Sequence, residues 1–88
     1  MYYVYVLHSK KDRGLYIGYT SDLKKRLVQH QKGQSIATKN RLPITLVYYE
    51  AFLLNRDARA REEYLKSGYG RTQLKGILKE LFAKLDIK

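Results

Sequence analysis

The residues from Tyr16 to His30 combine three side chains that are suited to binding a phosphate group. Tyr16 lies in a short β-type run, and Arg26 and His30 lie four residues apart in the helix-type run that follows. Residues four apart occupy the same side of a helix. A tyrosine hydroxyl, a guanidinium and an imidazole can therefore meet where a strand passes into a helix, and each of them can hydrogen-bond to a phosphate oxygen.

A second tyrosine, Tyr5, lies in an alternating run that predicts a first strand over residues 1–7. A second strand is predicted over residues 15–20, and the short polar link between the two makes them an antiparallel hairpin. If Tyr5 and Tyr16 share a face of this hairpin, their hydroxyls meet at a common site. The length of the link does not fix the register, so this pairing is a hypothesis.

The next elements are a helix and a third strand. The helix begins at Thr20 or Ser21, which can cap it, and ends at Gly33. Residues 34–43 show no periodicity and are predicted to form a loop. Residues 44–52 (ITLVYYEAF) form the longest apolar run, so this strand is predicted to be central in the sheet.

Two helices are predicted in the C-terminal third. The first runs from Arg56 to about Ser67 and is broken by Gly68 and Gly70. The second runs over residues 72–85 with leucines at helical spacing. The prediction is an α+β fold of order ββαβαα, in which a three-stranded, mostly antiparallel sheet packs against helices and residues 1–88 form one domain.

Glu62 is the acidic residue with the most unusual predicted position. It lies four residues after Ala58 and three before Leu65, on the stripe that faces the sheet, whereas Glu63 lies on the outer side. A carboxylate on an inward face is costly unless it is paired or bound to a metal. The alternative to a metal is an ion pair with a basic neighbour: Arg61, Lys66 or Arg26.

The charge balance indicates a polyanionic partner. The chain carries a net charge of +10 from 18 basic and 8 acidic residues, and residues 1–40 hold 8 of the basic residues but only 2 of the acidic ones. Such a surface attracts nucleic acid. The predicted nucleic-acid contacts are exposed basic residues of the first helix and the following loop: Lys24, Lys25, Lys39 and Arg41.

Two absences bear on location. The sequence has no cysteine, which excludes a disulfide framework and a thiolate metal site and favours the cytoplasm. It has no apolar stretch near the ~20 residues that cross a bilayer, so no membrane partner is expected.

Four short motifs carry a resemblance to a known family. Residues 3–5 (YVY) match a GIY element with tyrosine in place of glycine, and residues 16–18 (YIG) match a YIG element unchanged. Residues 22–30 and 60–66 match helices that bear an arginine and a glutamate. From Tyr2 to about Leu81, the chain resembles the small single-domain bacterial members of the GIY-YIG nuclease family, which are related to the N-terminal nuclease domain found in the bacterial excinuclease ABC.

The resemblance implies an endonuclease that hydrolyses phosphodiester bonds with one Mg²⁺ or Mn²⁺ ion, for which Glu62 is the only protein ligand. Either Tyr5 or Tyr16 then deprotonates or orients the attacking water, in a phenolate form favoured by Arg26 and the metal. Arg26 also stabilises charge on the phosphate, and His30 relays a proton or contacts the phosphate. We expect all five side chains to converge on one concave face.

The substrate implied is DNA rather than RNA, in repair or recombination. Relatives with known targets carry an extra DNA-binding region, for which 88 residues leave no room, so a protein partner is expected to supply specificity. Two alternatives remain open at this point. One is a module that binds nucleic acid without cutting it, and the other is a scaffold that docks a partner through its last helix.

Overall fold

The computed structural model describes residues 1–87, so Lys88, the last residue of the predicted domain, lies outside the described residues. Three antiparallel strands form one sheet of order β2-β1-β3. Their bounds are β1 (Tyr2–Ser9), β2 (Leu15–Thr20) and β3 (Ile44–Phe52). Four helices pack on this sheet: α1 (Leu23–Gln31), α2 (Asn55–Lys66), α3 (Gly68–Ile77) and α4 (Lys79–Leu85). The predicted α+β class is confirmed.

The prediction that the third strand is central is wrong, because β1 occupies that place. Every residue of β1 from Val4 to Ser9 is buried, whereas in β3 only Ile44 is buried and the other positions are half-buried or exposed. The length of an apolar run does not identify the central strand here, because the central strand β1 also buries polar residues, among them His8 and Ser9. β1 also extends two residues further than predicted.

Alternation along β1 divides the molecule into two layers. Val4 and Val6 face a core made with α2 and α3, through Ala58, Leu65 and Leu74. Tyr5 and Leu7 face the other way, towards the α1 residues Leu23 and Leu27. The sheet therefore lies between α1 on one face and the α2–α3 pair on the other.

The cap of the first helix lies one residue after Ser21 and two after Thr20, the two predicted caps. Asp22 is its cap, because its carboxylate accepts a hydrogen bond from the Lys25 amide at 3.1 Å. Gly33 follows the helix end with a φ of +74°, in the left-handed region that glycine adopts without strain. The end at Gly33 agrees with the prediction.

The predicted helix end near Ser67 agrees with the structure, because α2 ends at Lys66. The prediction that Gly68 and Gly70 lie between two helices is wrong, because α3 begins at Gly68 rather than at about Thr72. Ser67 caps α3 by accepting a hydrogen bond from the Gly70 amide at 3.2 Å. A Cβ on Gly70 would lie 2.0 Å from the Tyr64 carbonyl oxygen, so glycine permits α2 and α3 to touch through their backbones. The predicted last helix is in fact two, divided at Leu78.

Two further features complete the fold. Arg61 on α2 makes a two-pronged ion pair with Glu50 on β3, at 2.8 and 3.0 Å, which fixes α2 to the sheet. None of the helices within residues 1–87 has the length and apolar character needed to cross a membrane.

Candidate active site

The hairpin register brings the two predicted tyrosines to one face. Tyr5 pairs with Gly18, and Leu7 pairs with Tyr16, so Tyr5 and Tyr16 are diagonal neighbours with ring centroids 6.4 Å apart. The Tyr5 ring lies across Gly18, where an added Cβ would be 2.4 Å from the phenol carbon and oxygen. Glycine at this position is therefore required by the Tyr5 side chain, and the hypothesis of a shared face is confirmed.

His30 is completely buried between Tyr5 and a residue of the following loop, Thr38. The Tyr5 hydroxyl lies 2.8 Å from His30 Nε2, and the Thr38 hydroxyl lies 2.7 Å from His30 Nδ1. Thr38 is also completely buried. We call Tyr5, His30 and Thr38 the buried triad, because each imidazole nitrogen has a hydroxyl partner and the ring orientation is thereby fixed.

Thr38 was not predicted as a site residue. It lies in the aperiodic segment between α1 and β3, directly before a 3₁₀ turn over Lys39–Arg41. Nothing in the local sequence pattern distinguishes it from its neighbours, and only the fold of the loop back over His30 reveals its contact.

The pKa shifts of Tyr5 and His30 favour the neutral forms of both side chains. Burial, followed by the positive charge of Arg26, lowers the pKa of His30. Burial is the largest influence on Tyr5 and raises the pKa of its hydroxyl, although Arg26 acts in the opposite direction. Arg26 therefore acts in the expected direction, towards the Tyr5 phenolate, but desolvation outweighs the guanidinium and the net shift of the Tyr5 pKa is upward.

Arg26 lies on α1, half-buried beside the Tyr5 hydroxyl. Its guanidinium donates to the Gln29 side-chain oxygen at 3.1 Å and to the Ser35 hydroxyl at 3.3 Å. Both acceptors are neutral, and within residues 1–87 no carboxylate forms an ion pair with Arg26. The guanidinium is thus oriented while its charge remains available to an anion.

Glu62 reaches this site from the other layer of the molecule. It lies on α2, which packs on the opposite face of the sheet from α1. The convergence of all five side chains on one concave face stays a prediction for Glu62. Its carboxylate nevertheless acts on Tyr5, because its negative charge is one of the influences that raise the pKa of the Tyr5 hydroxyl. The Glu62 side chain is 23% exposed and pairs with Lys66 at 3.1 Å, one of the partners considered from the sequence.

The four predicted nucleic-acid contacts are not equivalent. Lys24, Lys25 and Lys39 are exposed. Arg41 instead makes two hydrogen bonds to the Asp12 carboxylate, at 2.6 and 3.1 Å, and so ties the loop before β3 to the hairpin turn. The nucleic-acid contact at Arg41 stays a prediction, and the structure gives this residue a role in holding the loop.

A cleft of about 280 Å³ opens along the free edge of β2, beside the tyrosines. It is lined by the β2 residues Tyr16 and Ile17 and by the basic residues Lys66 and Arg71 of α2 and α3. Sequence analysis did not single out Arg71. The cleft joins the tyrosine side of the site to the helix that carries Glu62.

One prediction concerns acid stability. Because the pKa of folded His30 is lowered, the unfolded chain binds a proton more tightly than the folded chain. The free energy of unfolding is therefore at its full value above about pH 6.5, the pKa of a free histidine, and falls as the pH drops towards the folded-state value. Urea unfolding at pH 8 and pH 5 will measure this loss.

The control for this prediction is His30→Gln, which cannot gain a proton. The difference in unfolding free energy between pH 8 and pH 5 should be smaller in His30→Gln than in the native protein. An equal difference in both proteins would show that another group is responsible.

Comparisons with known proteins agree with this architecture. Residues 1–75 match the family model of the GIY-YIG catalytic domain. UPF0213 protein SpyM50708 of Streptococcus pyogenes serotype M5 (strain Manfredo) is 44% identical over 72 residues, which cover 81% of this chain and 77% of the relative. UPF0213 protein M28_Spy1146 of serotype M28 (strain MGAS6180) matches with the same identity and coverage. No solved structure gave a significant match.

The family model covers most of the chain, including all three strands and the helices that carry Arg26 and Glu62. The relatives share nearly half of their aligned residues with it. On both grounds, this chain belongs to the GIY-YIG family.

Proposed function

We propose that the protein is a divalent-metal-dependent endonuclease that hydrolyses phosphodiester bonds in DNA, in repair or recombination. The observation that carries the proposal is the environment of one atom, the Tyr5 hydroxyl oxygen. It is hydrogen-bonded to His30, and the charges or dipoles of Tyr16, Arg26 and Glu62 all act on it. A module that only binds nucleic acid has no need for a buried phenol to be surrounded by a base, a cation and a carboxylate.

Glu62 would hold the metal ion, Mg²⁺ or Mn²⁺. Within residues 1–87 no three His, Cys, Asp or Glu side chains group to hold a metal, but Mg²⁺ commonly uses one or two carboxylates and completes its shell with water and substrate phosphates. The Glu62 side chain is half-buried, and Lys66 contacts its Oε2 atom at 3.1 Å. When bound, the metal would polarise the scissile phosphate and acidify a coordinated water.

Tyr5 and His30 would together accept the proton of the attacking water. A phenol with a raised pKa is a poor base alone. Neutral His30 can take the Tyr5 proton at Nε2 while Tyr5 takes one from the water. This requires the tautomer in which Nδ1 carries the hydrogen and donates a hydrogen bond to the Thr38 hydroxyl oxygen. Tyr16, half-buried with its ring centroid 5.4 Å from that of His30, would orient the water.

Arg26 would stabilise the charge that develops on the phosphate. It is already oriented by Gln29 and Ser35, so little reorganisation is needed when the substrate binds. The cut strand would follow the cleft between Tyr16 and the basic side chains Lys66 and Arg71, while Lys24, Lys25 and Lys39 contact flanking phosphates. We further infer a cytoplasmic location and a protein partner that supplies specificity.

Thr38 offers a test of the proton path. Thr38→Val keeps the shape of the side chain but leaves His30 Nδ1 without its partner, so the tautomer that accepts at Nε2 is no longer favoured. We expect cleavage to fall about tenfold, with a displaced pH–rate profile. Thr38→Ser retains the hydroxyl, so its cleavage rate and its pH–rate profile should both be those of the native protein. A profile unchanged in Thr38→Val would mean that Thr38 serves packing alone.

The proposed activity is tested by incubating the protein with linear, flapped and branched DNA and with matched RNA, in Mg²⁺ or Mn²⁺ and in excess chelator. We expect metal-dependent cleavage of at least one DNA form, and weaker or no cleavage of RNA. Binding to every substrate without cleavage of any would instead support the alternative of a non-cleaving module.

A further inference from the structure

A second pocket lies on the opposite face of the sheet from the tyrosines. It has a volume of about 440 Å³ and is formed by the ends of β1 and β3 beneath the end of α4. The side chains that line it are His8, Lys10, Arg13, Thr45, Val47, Lys84 and Leu85. We call it the His8 pocket. Its volume lies within the range of small-molecule sites in proteins.

His8 supplies the clearest sign that something binds there. The residue is only 5% exposed, and its Nε2 atom is buried without a hydrogen-bond partner among the described residues. Buried polar atoms are almost always hydrogen-bonded, because leaving one unpaired is costly. His8 lies opposite Thr45 in the sheet, and both residues line the pocket. An acceptor atom of a ligand would satisfy Nε2 in the tautomer that carries hydrogen there.

The polar side of the pocket is basic. Lys10 and Lys84 form no ion pair within residues 1–87. Arg13 pairs with Asp86 at 2.7 Å through one nitrogen, and a guanidinium has further donors to offer. Because Asp86 offsets the charge of Arg13, the two positive charges of Lys10 and Lys84 remain beside the imidazole, and they favour a ligand with a compact double negative charge.

The other side of the pocket is apolar, and an irregularity in the sheet helps to create it. Val6 pairs with Tyr48 and Leu7 with Leu46, so Val47 is an extra residue in β3. This bulge turns Val47 towards the face that carries His8, where Leu85 lies across from it. Bulges commonly re-aim side chains at functional sites. The pocket therefore pairs an anion-binding side with an apolar side.

We propose that the His8 pocket binds a phosphate monoester attached to an apolar or aromatic body. One phosphate oxygen would accept from His8 Nε2, the others would face Lys10 and Lys84, and the body would pack on Val47 and Leu85. A free nucleoside monophosphate and the 5′-phosphorylated end of a nucleic-acid strand both present this chemistry. The proposal is independent of the Tyr5 site, because the two lie on opposite faces of the sheet.

The test is a titration of the intact protein with adenosine 5′-monophosphate in the absence of divalent metal, followed by calorimetry and by the imidazole NMR signals of His8. His8→Leu should weaken binding about tenfold or more and leave the Tm equal or higher, because it removes an unpaired buried nitrogen. Lys84→Gln should weaken binding about threefold. Lys32→Gln, which loses the same charge after α1, should bind as the native protein does.

Equal affinity in His8→Leu and native protein, or an equal loss in Lys32→Gln and Lys84→Gln, would overturn the proposal in favour of non-specific attraction to a basic surface. Two dinucleotides, one with a 5′-phosphate and one with a 5′-hydroxyl, separate the two ligand sources. Tighter binding of the phosphorylated dinucleotide than of the mononucleotide assigns the pocket to strand ends, and the reverse assigns it to free nucleotides. Metal-dependent cleavage in His8→Leu should be unchanged on substrates with 5′-hydroxyl ends.

Discussion

Glu62→Gln is expected to reduce metal-dependent cleavage by about a thousandfold or more. The substitution keeps the size of the side chain and removes the charge that would bind the metal ion. The fold should persist, because the ion pair with Lys66 is partly exposed and such pairs contribute little to stability. Single-turnover cleavage of the best DNA substrate, beside thermal unfolding of the same samples, measures both effects.

Glu63→Gln is the matched control, since it makes the same chemical change at the neighbouring position. Glu63 is exposed on the outer side of α2. Its variant should cleave at the native rate. Full Mg²⁺-dependent activity in Glu62→Gln would show that Glu62 does not bind the metal ion, and it would contradict the proposed mechanism.

Gly18→Ala should damage stability and activity together. The new Cβ would lie 2.4 Å from the phenol carbon and hydroxyl of Tyr5, whose ring is buried and hydrogen-bonded to His30. Forcing a methyl group into such a contact costs about 2 kcal/mol, or a fall of about 10 °C in Tm for a chain of this size. Displacing the Tyr5 hydroxyl from His30 should also lower cleavage at temperatures where the variant is folded.

Gly76→Ala provides the comparison for that variant. A Cβ at Gly76 would meet nothing within 4 Å, and the residue lies in α3, where alanine is favoured over glycine by about 0.5–1 kcal/mol. Its Tm should rise slightly, and cleavage should be unchanged. A Gly18→Ala protein as stable as Gly76→Ala would mean that the Tyr5 ring can move aside.

Much of the architecture follows from sequence pattern. The hairpin, the bounds of β2 and β3 and the end of α1 agree with the structure, because alternation, turn residues and glycine act locally. The position of β1 at the sheet centre does not follow from pattern, since it depends on which polar residues the fold can bury. Gly70 illustrates the same limit: its local propensity predicts a break, but close packing of α2 on α3 decides otherwise.

Some features of the candidate site also follow from sequence pattern, and others do not. Arg26 and His30 share a helix side by simple periodicity, and the hairpin brings Tyr5 to Tyr16. Thr38 could not be anticipated, because its contact depends on the path of an aperiodic loop. The net rise in the Tyr5 pKa could not be anticipated either, because it depends on how deeply the ring is buried.

The placement of Glu62 in the second layer has a consequence for control of the proposed activity. Residues up to the end of β3 carry the tyrosines, Arg26 and the buried triad, whereas Glu62, the proposed metal ligand, lies in the later α2–α3 unit. The proposed proton-handling and metal-binding halves are therefore consecutive pieces of chain that meet only when α2 docks on the sheet. A partner that loosened or tightened this docking would switch cleavage off or on without touching the tyrosines.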